Sequence, residues 1–256
     1  MLTDPFFYAV AIPAVILLGL AKGGFAGIGV VAVPLMTLAV SPVMAASITL
    51  PILLVQDVVS VWSFRKSWDR GILILMLPAA AVGIFLGWAL AALVDEAAVE
   101  LAVGAISVVF ALQRLWAERA VKASEQVAPG PGRPWLGALC GAAAGFTSQI
   151  AHAGGPPFQI YVLPRRLPRD VFIGTSAIFF GVVNWMKVPA YAALGHLTPQ
   201  VLATAGVLLP LAIGSTWAGV WLVRRVPSEG FYKVIYVLLV LVGGKLMVDG
   251  ARGLLA

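Results

Sequence analysis

Two short stretches hold most of the polar chemistry that lies inside apolar runs. One is Lys22-Gly-Gly-Phe-Ala-Gly-Ile-Gly29; the other is Thr147-Ser-Gln-Ile-Ala-His-Ala-Gly-Gly-Pro-Pro157. Glycine permits tight turns and close backbone approach, and proline ends helices and removes a donor. A helix broken at mid-depth in a membrane frees amide N–H groups and leaves a positive dipole end. That end can bind an anion without a full buried charge. Gly27, Gly29, Gly154 and Gly155 are the candidate backbone part of such an anion site. Close helix packing is the plainer use of the same glycines.

Side chains near the breaks are Lys22, Ser148, Gln149, His152 and Gln159, and Lys22, Gln149 and His152 are taken as substrate contacts. Histidine ordinarily titrates near pH 6.5, so His152 could bind an anion when protonated or relay a proton. A neutral imidazole satisfying freed backbone groups is the alternative. Lys22 could neutralise an anion or snorkel toward the membrane surface. Asp57 is an acid well inside an apolar run, where insertion costs roughly 2.5–3.5 kcal/mol. It is a proton-coupling candidate beside His152; an ion pair with Lys22 or Lys187 is its structural alternative. Asn184 and Lys187, three apart, share a helix face. Thr49, Thr175 and Ser176 offer hydroxyls to oxyanion oxygens, and Trp185 is placed along the pathway.

These residues need a scaffold, and the composition says which solvent it faces. Of 256 residues, 61% are apolar and 11% charged, against roughly 25% charged in a soluble domain. Apolar segments recur at 6–22, 23–40, 43–64, 71–94, 97–116, 135–151, 153–164, 170–192, 199–223 and 231–250. The fold class is all-α, a polytopic transmembrane bundle. A spanning helix needs roughly 20 residues; the third, fourth, fifth, eighth, ninth and tenth segments reach that length. The pairs 6–40 and 135–164 are short and rich in Gly and Pro, and are expected to form broken or re-entrant hairpins. Such backbone survives only buried in protein or lining a cavity.

Charge sets the expected orientation. Arg65, Lys66 and Arg70 fill one loop, and Arg114, Arg119, Lys122 and Arg133 a connector. Arg165, Arg166 and Arg169 fill another loop, and Arg224 with Arg225 the last. The alternate loops carry no Lys or Arg: 40–42 is uncharged, 95–100 holds Asp95, Glu96 and Glu100, and 193–199 holds His196. The positive-inside rule puts the basic loops in the cytoplasm of a bacterial inner membrane and both termini in the periplasm. An offset of 126–127 lays Gly19 on Gly145, Gly29 on Gly155, Thr49 on Ser176 and Asp57 on Asn184. Residues 1–125 and 126–256 therefore read as two five-segment repeats of inverted orientation. Inverted repeats with interrupted segments at matching positions point to a secondary carrier.

Other classes fit poorly. The net charge of +6 comes from short loops, not a basic stripe, so nucleic acid is not an expected partner. Cys140 is the single cysteine, and His152 and His196 lie far apart, so neither a disulfide nor a metal site is expected, and no cofactor. Asp4 stands where a signal peptide would be basic. The sequence has no Walker loop and no hydrolase or zincin motif.

The two hairpins resemble those of the TauE/SafE family, the sulfite exporter or toluene-sulfonate uptake permeases. The resemblance covers essentially the whole chain. Gly19–Met36, with Pro34-Leu, and Gly145–Leu163, with His152-Ala-Gly-Gly-Pro-Pro157, carry it. Family members typically close each glycine run in Gly-Gly-Gly and follow it with Pro-Leu. Here Val30 and Val31 stand where the first half often has glycines, and Tyr161-Val-Leu163 replaces the second Pro-Leu. The resemblance implies a secondary transporter for sulfite, thiosulfate or organosulfonates. The expected partners are a small anion and the lipid bilayer, with a homodimer left open. A passive anion channel, a carboxylate carrier and a membrane-embedded enzyme or complex subunit are the competing readings.

Overall fold

A computed structural model describes residues 4–25, 28–91, 96–121, 133–223, 225 and 229–255. Among them there is no strand. The helices are α1 (Pro5–Lys22), α2 (Ala32–Met36), α3 (Pro42–Phe64), α4 (Arg70–Ala91) and α5 (Glu96–Val121), followed by α6 (Pro134–Ala151), α7 (Gly155–Val162), α8 (Arg169–Ala193), α9 (Pro199–Val223) and α10 (Glu229–Leu255). Five of the described helices are long and apolar enough to cross a membrane: α1, α3, α4, α8 and α9, each of 18 residues or more. With this composition they suggest a multi-pass membrane protein.

Local rules account for most boundaries. Pro5, Pro42 and Pro134 open their helices where a missing N–H costs nothing. Asp4 and Ser41 cap α1 and α3 with side-chain oxygens on Phe6 N (2.9 Å) and Met44 N (3.4 Å). Both interrupted segments behave as the glycines and prolines require. After α1 the chain turns at Gly24, whose φ of +129° suits glycine. The next described elements are a 3-10 turn, Ile28–Val31, and the five-residue α2. After α6 it turns at His152 and restarts as the eight-residue α7. At 1.5 Å per residue α7 rises roughly 12 Å, well short of a bilayer. The first segment of each half falls within one residue of the expected 6–22 and 135–151: α1 and α6 each run 18 residues, and the helices after the breaks, α2 and α7, are shorter.

The long helices pack in a definite exchange. α1 lies along α9, and α6 along α4; α3 and α8 cross at the centre; α5 and α10 lie side by side. Small residues make the first two contacts close. A Cβ on Gly19 would overlap Ser215 of α9, and a Cβ on Gly145 would overlap the backbone of Ala80 in α4. Two of the apolar clusters follow this grouping. One joins α1, α2 and α3 to α9, with Phe7, Met36, Ile48 and Leu208; the other joins α6, α7 and α8 to α4, with Met76, Ala144, Phe158 and Phe179.

The outer surface suits lipid. Val58, Ile74, Phe85 and Leu241 are exposed on it. Tryptophans gather near the basic loops, where Arg65 stacks over Trp62 (3.9 Å) and Arg225 over Trp221 (4.3 Å). That is the position expected of aromatic anchors at a membrane interface.

Candidate functional site

The crossing of α3 and α8 brings buried charged and polar groups together. Asp57, on α3, accepts from Lys22 at the end of α1 and from Asn184 Nδ2 on α8 (2.6 Å). Lys22 also lies 5.5 Å from the centre of the Phe180 ring. Ser60, one turn beyond Asp57, donates to the Lys22 carbonyl (2.7 Å). The ion pair that the sequence offered as an alternative for Asp57 is the arrangement found, with Lys22 as partner.

A second group sits beside it. Lys187, fully buried on α8, donates to the Ser148 carbonyl (3.1 Å), the Ser148 hydroxyl (3.0 Å) and His152 Nδ1 (2.6 Å). The other ring nitrogen, Nε2, lies 2.9 Å from the Ala46 carbonyl of α3. A carbonyl can only accept, so Nε2 carries the proton and Nδ1 is the acceptor for Lys187. His152 adopts the left-handed conformation, φ 51°, that closes α6: its N–H bonds Ser148 O (3.1 Å) and the next N–H bonds Thr147 O (3.2 Å). The strained backbone thus aims the ring at both α3 and α8.

Between these groups and the two interrupted segments lies a cavity of about 100 Å³, lined by Lys22, Gly29, Ser60, Ser148, His152, Gly155, Gln159, Ser176 and Asn184. That equals the liquid volume of roughly three waters at about 30 Å³ each, room for a small oxyanion. Gln159 projects from α7, and its amide oxygen is buried without a partner. A larger cavity of about 550 Å³ lies beyond, lined by Ser41, Ala46, Gly87, Gln149, Tyr191 and His196. A thin wall divides the two. His152 lines one side and bonds Ala46 on the other; Tyr191 donates to the Gln149 carbonyl (3.0 Å). The smaller cavity lies toward the ends of α3 and α8 that carry basic loops, the larger toward their opposite ends.

Of the residues singled out in the sequence, Lys22, Gly29, His152, Gly155, Ser176 and Asn184 line the smaller cavity, and Asp57 stands behind Lys22 and Asn184. Gly27 lies outside the described residues. Gly154 is the N-cap of α7, where a Cβ would meet the Ala144 carbonyl at 2.7 Å. Four side chains do not belong to this cavity. Thr49 bonds back to Ala45 O (2.7 Å), and Thr175 to Val171 O (2.6 Å) while accepting from Asp69 N (2.8 Å). Both hydroxyls do the ordinary helical work of their type. Gln149 lines the larger cavity. Trp185 is 60% exposed on the outer surface. It follows Asn184 directly, so the helix turns it about a quarter circle away from the inner face shared by Asn184 and Lys187.

The dipole argument also needs correction. Pro156 and Pro157 have no N–H, and the Phe158 N–H is taken by Gly154 O (3.3 Å). In the first half the break is followed by a 3-10 turn, Ile28–Val31, not an α-helix. Backbone donors are therefore few, and side chains supply most of the polarity. Ser60 was missed in the sequence, although a signal was there. The offset of 127 that pairs Asp57 with Asn184 also pairs Ser60 with Lys187, and 126 pairs Lys22 with Ser148. Cation and hydroxyl exchange places between the halves, and in each the α3 or α8 member bonds the carbonyl of its α1 or α6 counterpart.

The family model described as Sulfite exporter TauE/SafE matches residues 11–246. No curated protein and no solved structure matches the chain. The match runs through both interrupted segments and every helix that contributes to the cavity, so this chain belongs to the TauE/SafE sulfite exporter family, a family of membrane transporters and not of enzymes.

Proposed function

We propose that the protein is a secondary transporter of small sulfur-containing anions, sulfite, thiosulfate or organosulfonates, across the bacterial inner membrane. The substrate binds in the smaller cavity. One observation carries this reading: a cavity of oxyanion size where both interrupted segments meet the α3–α8 crossing, lined by Lys22, Ser148, His152 and Asn184.

Residues 1–125 and 126–256 act as two inverted transmembrane repeats, each with a re-entrant return limb. The exchange of partners supports this. The first helix of each half packs on the fourth helix of the other, and the two apolar cores repeat that grouping. Alternating access then follows from one half moving against the other. The wall at His152–Ala46 and Tyr191–Gln149 is the barrier closed in this conformation. The positive-inside pattern puts the smaller cavity on the cytoplasmic side and both termini in the periplasm. Proton coupling falls to Asp57 or His152.

The test is uptake into liposomes holding the purified protein, with sulfite, thiosulfate, sulfoacetate, taurine and simple carboxylates as substrates. Uptake of a sulfur anion that responds to an imposed proton gradient supports the reading. Uptake of carboxylates alone refutes the substrate class. Flux indifferent to the gradient, and unchanged in Asp57→Asn and His152→Ala, makes the protein a passive channel.

A further inference from the structure

One buried lysine at this site lacks a carboxylate. Among the described residues Lys22 has Asp57, and Lys245 has Asp249 (2.5 Å). Lys187 is fully buried and meets only neutral acceptors, two on Ser148 and one on His152. The carboxylate at the crossing is already committed to Lys22 and Asn184. The repeat explains the imbalance. Each half brings one lysine to the crossing, but the position that is Asp57 in the first half is Asn184 in the second. The second lysine stands where the first half has Ser60, and the carboxylate position beside it is an amide. Neutral acceptors solvate an ammonium without cancelling its charge, and an uncompensated charge in low dielectric is costly.

Two neighbours are arranged to complete it. The Ser148 hydroxyl accepts from Lys187, so its own proton points elsewhere, and Ser148 lines the cavity. Gln159 is 5% exposed, lines the same cavity, and has one end of its amide unpartnered. Either edge of that amide can turn inward. Both groups can donate to an oxyanion, with the ammonium directly behind one of them.

We propose that Lys187 is the counter-ion of the transported anion, and that the site therefore selects anions of single charge over dianions. The inference rests on the reading of the smaller cavity as the substrate site. Lys187 is a positioning charge that acts through Ser148 and His152. A monoanion brings the crossing to neutrality, because Lys22 and Asp57 cancel. A dianion leaves one buried negative charge uncompensated.

The experiment measures binding and liposome uptake of methanesulfonate, with one charge, and thiosulfate, with two, by the full-length protein at pH 8. Methanesulfonate is expected to bind at least roughly tenfold more tightly. Lys187→Met is expected to lose roughly 10–100-fold in methanesulfonate affinity, and Lys187→Arg to retain most of it. Asp57→Asn, which releases the Lys22 charge, should move the preference toward thiosulfate, a change that a merely structural role for the cluster would not produce. Equal or tighter thiosulfate binding by the unaltered protein overturns the proposal, and so does wild-type affinity in folded Lys187→Met. If that variant does not fold, the charge preference of the unaltered protein decides. Binding of neither anion, nor of sulfite, removes the sulfur-anion reading itself and this inference with it. Binding of both without regard to charge removes this inference alone.

Discussion

Replacing Lys22 by Met is the sharpest test of the interior. Lys22 keeps 13% of its side chain exposed and Asp57 only 3%. The substitution leaves Asp57 as a carboxylate inside the bundle, held by Asn184 Nδ2 at 2.6 Å and with no described cation in direct contact. Removing one partner of a buried pair typically costs about 3–5 kcal/mol, most of it the penalty of stranding the other charge. Net stabilities run to roughly 5–15 kcal/mol, so the loss is a large share of the whole. The companion change is Asp57→Asn. It strands Lys22 in turn, at a smaller cost, because an ammonium on a flexible stem reaches polar surroundings more easily. The double variant leaves no charge stranded by either change. Its cost should fall below that of the sum of the singles by about 2 kcal/mol or more, the range of coupling seen between contacting groups. Unfolding in detergent micelles, followed by tryptophan fluorescence, measures all four proteins. A Lys22→Met variant within about 1 kcal/mol of the unaltered protein, or a double variant that costs the full sum, would show that the pair is not a closed buried unit.

Three further outcomes are expected. Gly145→Ala pushes a methyl into the Ala80 backbone and should cost about 1–3 kcal/mol, whereas Gly206→Ala meets nothing within 4 Å and should be neutral or slightly stabilising; equal melting temperatures for the two would contradict the α4–α6 contact. With Cys140 replaced by Ala, a cysteine at Ser41 should react with a membrane-impermeant thiol reagent from the periplasmic side, and one at Ser176 from the cytoplasmic side; reversed labelling would invert the proposed topology. Burial holds His196, in the loop after α8, below the ordinary histidine value of 6.5. The unfolded chain therefore binds the proton more readily, so the stability His196 contributes is present above pH 6.5 and is lost as the pH falls through its lowered value. His196→Gln should flatten the decline in melting temperature between pH 7 and 5, and an unchanged decline would assign that loss to another group.

Much of the architecture was legible because the membrane leaves few choices. Backbone must hydrogen-bond within itself there, so apolar length and proline position mark the helices closely: Pro42 and Pro134 open α3 and α6, and Gly-Gly-Pro-Pro157 interrupts the second half where the structure does. Side-chain roles were less legible. Thr175 and Ser176 are adjacent and alike in type, yet one bonds its own helix and only the other reaches the cavity. Trp185 was misplaced because composition does not say which face of α8 is inner. The dipole site was overdrawn because the helix restart was weighed without counting the donors that two prolines remove.

The sequence by itself determined the solvent, the helices, the two interruptions and the family, because each follows from local pattern read along the chain. The pairing of Asp57 with Lys22 and Asn184, the isolation of Lys187, and the wall between the two cavities were decided by tertiary structure. Those contacts join residues 35 to 127 positions apart, and two of them link the halves of the chain. A buried charge finds its partner by the way helices cross, and no period along a single helix encodes that crossing.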